Sequence, residues 1–133
     1  VAEVSKSGTP SLATVNPGAE HRITGLLAGE ALAAGDACRI NAADGRVYRA
    51  SGAAAGANAK VRGFAAVATA VGEAVTLFHD VNVRYGAALS PGADLFVSGV
   101  TAGALADVAS IGGTGAIGYV IDATRIRVFA SRY

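Results

Sequence analysis

Between Val75 and Tyr85 apolar and polar residues alternate. Val75, Leu77, Val81, Val83 and Tyr85 occupy odd positions, while Thr76, Asp80, Asn82 and Arg84 occupy even ones. Period-two alternation over this length predicts a strand with one buried face. Shorter apolar runs recur on both sides of it. Ala37–Ile40 and Arg46–Arg49 flank Asp44-Gly45, a pair that signals a hairpin turn. Val61–Thr69, Asp94–Val97, Ala116–Ile121 and Arg125–Phe129 read as further strands, with Val71-Gly72-Glu73, Ser90-Pro91-Gly92 and Asp122-Ala123-Thr124 as turns or corners. Many short strands with frequent turns predict an all-β fold, a compact β-barrel or sandwich, over residues 23–133.

Residues 1–22 lack any sustained period. Ser5-Lys6-Ser7-Gly8-Thr9-Pro10-Ser11 and Asn16-Pro17-Gly18 are rich in breakers and hydroxyls, so this segment is expected to be an extended N-terminal arm rather than a packed element. At about 3.3 Å per residue such an arm spans several tens of Å, enough to grasp a neighbouring subunit.

The body contains an internal echo. Ala31-Leu32-Ala33-Ala34-Gly35-Asp36 resembles Ala88-Leu89-Ser90-Pro91-Gly92-Ala93, Gly63–Thr69 resembles Gly118–Thr124, and Val75-Thr76-Leu77-Phe78 resembles Ile126-Arg127-Val128-Phe129, in the same order in both halves. Two related β-motifs packed about a pseudo-two-fold are expected. Phe78 and Phe129 fall in matching places on the nominally polar strand face. That face is therefore expected to be covered, by a second sheet layer or by another chain, and the two phenylalanines are candidates for self-association.

Composition narrows the chemistry. The 133 residues suit one domain, 52% of them hydrophobic, with a formal net charge of +1. No apolar run is long enough to span a bilayer, and Val1–Lys6 lacks the basic-then-apolar pattern of a leader. Balanced charge, with few aromatics beside the basic residues, argues against nucleic-acid binding. The single cysteine, Cys38, allows neither an internal disulfide nor a cysteine-based zinc site and reads as a buried thiol. His21 and His79 have no metal-ligand spacing, and no cofactor or metal is expected. His79 adjoins Asp80, but neighbours on a strand point to opposite faces, so they are not expected to form an orienting pair. Gly113-Thr114-Gly115-Ala116-Ile117-Gly118 has the G-x-G-x-x-G spacing. It precedes a strand-like run instead of opening a helix, and reads as a turn. No catalytic residue is expected.

In sum the segments Ala31–Ala37, Val61–Ala65, Gly72–Leu77, Arg84-Tyr85-Gly86, Leu89–Ala93 and Gly118–Val120 resemble the capsid decoration, or cement, proteins of tailed bacteriophages and prophages. The resemblance implies a non-enzymatic structural protein that binds the outer surface of the mature head. It implies clamping of neighbouring copies of the major capsid protein, with a homo-oligomer, a trimer by preference, as the working form. Docking is expected through the arm Val1-Ala2-Glu3-Val4-Ser5-Lys6-Ser7-Gly8-Thr9-Pro10-Ser11-Leu12. The rivals are a glycan-recognising β-module of a phage tail or surface protein, weakened by the absence of tryptophan, and a small hydrolase built on His79 with Cys38 or a serine.

Overall fold

A computed structural model describes residues 3–131; Val1 and Ala2 of the expected docking arm lie outside the described residues. The strands are β1 (Ser11–Leu12), β2 (Arg22–Leu27), β3 (Ala37–Ile40), β4 (Val47–Arg49), β5 (Gly63–Ala65), β6 (Ala74–Phe78), β7 (Val81–Arg84), β8 (Asp94–Val97), β9 (Leu105–Ala106), β10 (Gly118–Val120) and β11 (Arg125–Val128). They form two antiparallel sheets, ordered β2-β6-β5-β3-β4 and β1-β7-β11-β10-β8-β9. The expected all-β class holds, as a sandwich-like pair of sheets without a closed barrel. An isolated parallel bridge from Ala28 to Val47 brings the first sheet's two edges together at one point.

The internal echo is a topological repeat. Advancing every strand of the order 2-6-5-3-4 by five gives 7-11-10-8-9, the second sheet without β1. The registers of β3 on β5 and of β8 on β10 agree as well. Ala37 and Cys38 face Phe64 and Gly63, as Asp94 and Leu95 face Tyr119 and Gly118. The turns leading into β3 and β8 also match. Gly35 (φ 82°) donates to Ala65 O at 2.7 Å and Ala65 donates to Asp36 O at 3.0 Å. Gly92 (φ 85°) donates to Val120 O at 2.8 Å and Val120 donates to Ala93 O at 2.9 Å. Glycine is needed at both turns because a positive φ strains any residue with a Cβ.

The expected pseudo-two-fold is not how the halves pack. A two-fold would cover equivalent positions equally. Instead Ala37 is fully buried while its counterpart Asp94 is exposed, and Phe64 is 2% exposed while its counterpart Tyr119 is 44% exposed. The first half lays its outer face against one end of the second. Ala37 N donates to Gly103 O, Gly103 N to Ala50 O, Gly52 N to Ser98 O, and Ser131 N to Val61 O, all at 2.8–2.9 Å. Ala37, Ala50, Val61 and Phe64 accordingly join Val83, Tyr85, Leu95, Leu105, Ile126 and others of the second half in the larger core. Cys38, Val47, Ala65, Val75 and Leu77, on the opposite face of the first sheet, close a smaller core with Ala28 and Leu32.

The run 75–85 is two strands, not one. β6 ends at Phe78 in one sheet, and β7 starts at Val81 in the other. Asp80 adopts φ 56° between them, a left-handed conformation that aspartate tolerates better than most residues. The alternation continues through the break because both strands bury one face.

The N-terminal segment is extended, as its composition suggests, but it is packed on its own body. Glu3 bridges Ala106, and Val4 N donates to Leu105 O at 2.8 Å, alongside β9. Ser7 N donates to Tyr85 O at 3.0 Å, Ser11 and Leu12 pair with Arg84 and Val83 of β7, and Ala13 N donates to Asn82 O at 2.8 Å. Val4 and Leu12 pack on the larger core, and Pro10 is buried. The arm thus bridges β7 and β9, the two edges of the second repeat. Val4 N on Leu105 O repeats the bond that Gly29 N makes to Val47 O in the first half, also at 2.8 Å. The first repeat closes this seam with the continuation of its own β2, the second with the arm.

Candidate functional site

The loops around β9 carry the most exposed large apolar side chains of the second half. Val100 is 84% exposed and Ile111 75%, with Val108 beside them at 37%. With Gly52, Ala53 and Ala109 they line a cleft of about 300 Å³. Apolar side chains gathered on a surface are a feature of protein, membrane and ligand contact sites alike. Val67 and Val71, in the connection from β5 to β6, are 67% and 62% exposed.

These loops are held in place by polar bonds. Ser110 Oγ donates to Val97 O and accepts from Gly113 N, each at 2.9 Å, and Gly112 N donates to Gly52 O at 2.9 Å. A Cβ on Gly112 would run into the Ala54 carbonyl oxygen, and one on Gly113 into Ser110 and Val97. The glycine at the head of the G-x-G-x-x-G run therefore serves close backbone packing, and the turn reading of that motif stands.

The arm contributes to the same surface. The Glu3 carboxylate accepts from Ser98 Oγ, from Thr101 N at 3.1 Å and from Thr101 Oγ1 at 3.0 Å. These bonds, that from Ser98 foremost, hold the Glu3 carboxyl below the usual range, and they tie down the turn that presents Val100. Lys6 Nζ bonds Asp36 Oδ1 at 2.8 Å, and Asp36 Oδ2 accepts from Ala33 N at 2.8 Å. The Asp36 side chain is 7% exposed, so this pair fastens the arm of the second seam to a turn of the first half.

Phe78 and Phe129 are not brought together, and they do not occupy matching places. Phe78 pairs with Phe64, while Arg127, two residues before Phe129, pairs with the matching Tyr119, so the third segment of the echo is shifted by two residues in the structure. Phe78 sits in the first sheet, half-buried against the larger core. Phe129 follows β11, half-buried, with its ring 6.5 Å from that of Tyr119. The expected cover is thus present over Phe78, supplied by the second half.

Reactive side chains are dispersed. His79 Nδ1 is 2.8 Å from Asp80 Oδ2. The pair expected to point apart is joined because the left-handed Asp80 turns the chain between sheets. Cys38 is fully buried in the smaller core, where its Sγ donates to Asp36 O at 3.3 Å. Among the described residues no group of three His, Cys, Asp or Glu side chains could hold a metal ion, and no helix is long and apolar enough to cross a membrane.

Burial, more than any charge nearby, pushes the Cys38 thiol up from 9.0 to about 12. The folded thiol therefore stays neutral up to about pH 12, while the unfolded chain loses its proton from about pH 9. The stabilisation linked to this group is complete below pH 9 and drains away as pH rises from about 9 to 12, with a slope of about 1.4 kcal/mol per pH unit. Cys38→Ala should flatten that slope in urea titrations across the window. At pH 8 the native protein should not react with Ellman's reagent, and the denatured chain should release one equivalent.

Sequence reasoning missed the apolar loop cleft. Val100, Val108 and Ile111 sit singly among Gly, Ala, Ser, Thr and Asp107, and only the fold draws them to one place. No protein-family model matches the chain, and no curated protein matches it.

Proposed function

We propose that this chain is a non-enzymatic structural protein of the tailed-bacteriophage virion that binds the outer surface of the mature head and clamps neighbouring copies of the major capsid protein. The observation that carries the reading is the set of exposed apolar side chains Val100, Val108 and Ile111 on loops held by backbone and Glu3 bonds. Rigid loops with an apolar tip lose little freedom on docking, so more of the contact energy appears as affinity. The all-β body and the resemblance of its turn-and-strand segments to decoration proteins support the same reading. In it the arm acts by positioning the Val100 turn, and copies act together, so that modest contacts sum to a durable cap. Binding the mature lattice alone stabilises that lattice by mass action.

The test is sedimentation of the purified protein with mature heads of the phage that encodes it, prepared without it. The protein should pellet with the heads and raise the temperature at which they release DNA. Val100→Asp with Ile111→Asp should weaken binding at least about ten-fold, since a carboxylate carried into an apolar contact has no partner, and should leave the unfolding midpoint of the free protein unchanged. Full binding by that variant, or no binding by the parent chain, would discard the reading.

A further inference from the structure

The two repeats have the same strand order but unequal cover. In the first half, Ala37, Ala50, Gly52, Val61 and Phe64 receive the β8–β9 hairpin end of the second half. The registers place Asp94 and Tyr119 at the points matching Ala37 and Phe64, and counting on from β9 and back from β10 puts Val108, Ser110 and Ala116 nearest the points matching Ala50, Gly52 and Val61. Among the described residues Gly52 lies beside the Ser110 point and Phe129 packs against Tyr119, but the rest of that face is open: Asp94 is exposed, Val108 is 37% exposed and Tyr119 44%. The complementary end is open too. The counterpart of the β8–β9 hairpin is the β3–β4 hairpin, with Gly45 (φ 70°) matching Gly103 (φ 83°). Residues 42–45 at its tip are exposed and Ile40 is 36% exposed.

We propose that the face around Asp94 and Tyr119 receives the β3–β4 hairpin end of a second copy of this chain, repeating between molecules the contact that joins the halves within one. The occupant follows from the repeat. The chain already contains one example of this face bound to this kind of hairpin end, and among the described residues one such face and one such hairpin are left open. Such a contact is head-to-tail, joining unlike surfaces, and it closes into a ring or extends as a filament according to the rotation per copy. It names the surface behind the oligomeric part of the function proposed above. Because its test uses the free protein without capsids, its failure would leave capsid binding standing.

Two single-cysteine additions test it, with the buried Cys38 as a silent background. Asp94→Cys lies on the face and Ala43→Cys on the hairpin. Under mild oxidation a mixture of the two should give mixed disulfide dimers, and neither variant alone should cross-link. Light scattering of the parent chain should show a mass above the monomer, and Tyr119→Asp should raise the concentration needed for it at least about ten-fold without moving the unfolding midpoint. The proposal is overturned if Asp94→Cys cross-links to itself, which is face-to-face packing. It is equally overturned if the mixture yields no mixed dimer, or if Tyr119→Asp associates as the parent does.

Discussion

Deleting residues 1–14 should lower the stability of the free protein by about 3 kcal/mol or more, a fall in Tm on the order of 10 °C. A dispensable arm predicts no change. The deletion removes Lys6 from Asp36, whose side chain is 7% exposed and, among the described residues, keeps the Ala33 amide as its partner. Breaking a buried ion pair from one side costs roughly 3–5 kcal/mol, because the remaining charge is stranded. Lys6 is itself 27% exposed, so water relieves part of that cost. The deletion also strips Val4 and Leu12 from the larger core, each worth about 1 kcal/mol at partial burial, and it reopens the seam between β7 and β9. Regained chain entropy offsets some of the loss, which is why the net figure lies below the sum. Lys6→Met separates the contributions. It keeps the stem and removes the charge, so it should cost most of what the Asp36 pairing supplies while leaving the seam closed. Thermal and urea unfolding of the three proteins check the ranking. An unchanged Tm in the deletion would show that the arm does not stay on the body in solution. Because Glu3 holds the turn bearing Val100, the deletion should also weaken binding to heads, through a misplaced loop.

Phe64→Ala should cost about 3–5 kcal/mol, whereas Tyr119→Ala, at the matching position of the other repeat, should cost the free monomer less than about 1 kcal/mol. Phe64 is 2% exposed in the larger core, between the first sheet and the second half. Its removal leaves a cavity where the two halves meet, and packed interiors relax only partly around such a void. Tyr119 is 44% exposed, and its ring meets Phe129 alone among the described aromatics. The contrast tests the arrangement of the halves directly. If they packed about a two-fold, the two truncations would cost similar amounts. Urea unfolding at low concentration, where association does not contribute, provides the measurement.

Much of the fold was legible in the chain. The Asp44-Gly45 hairpin joins β3 and β4 as expected, and Asp94–Val97 is β8 residue for residue. These features depend on local rules, since side-chain period, glycine at positive φ and aspartate beside turn amides act over a few residues. The arm's seat was not legible, because its partners β7 and β9 lie some seventy to a hundred residues away in sequence. Its polar surface matches what a solvated tail would carry. The break at Asp80 was hidden because alternation is preserved on both sides of a turn that moves the chain to another sheet. The loop cleft was hidden for the same reason as the arm, with Gly52 and Ile111 meeting only in space.

The sequence by itself determined the all-β class, the position of most strands of the body and the presence of a repeated pattern, but not the five-strand make-up of each repeat, since β2 and β9 carry no clear alternation. Alternation and turn chemistry are properties of the local chain, and a repeated pattern folds the same way twice. Only the tertiary structure decided that the halves meet unlike to unlike, that Phe64 is enclosed while Tyr119 faces outward, and that the arm fills the second seam. The physical reason is that a hydrophobic face specifies the need for cover without specifying its source, and the nearest surface able to supply it depends on how the whole chain closes.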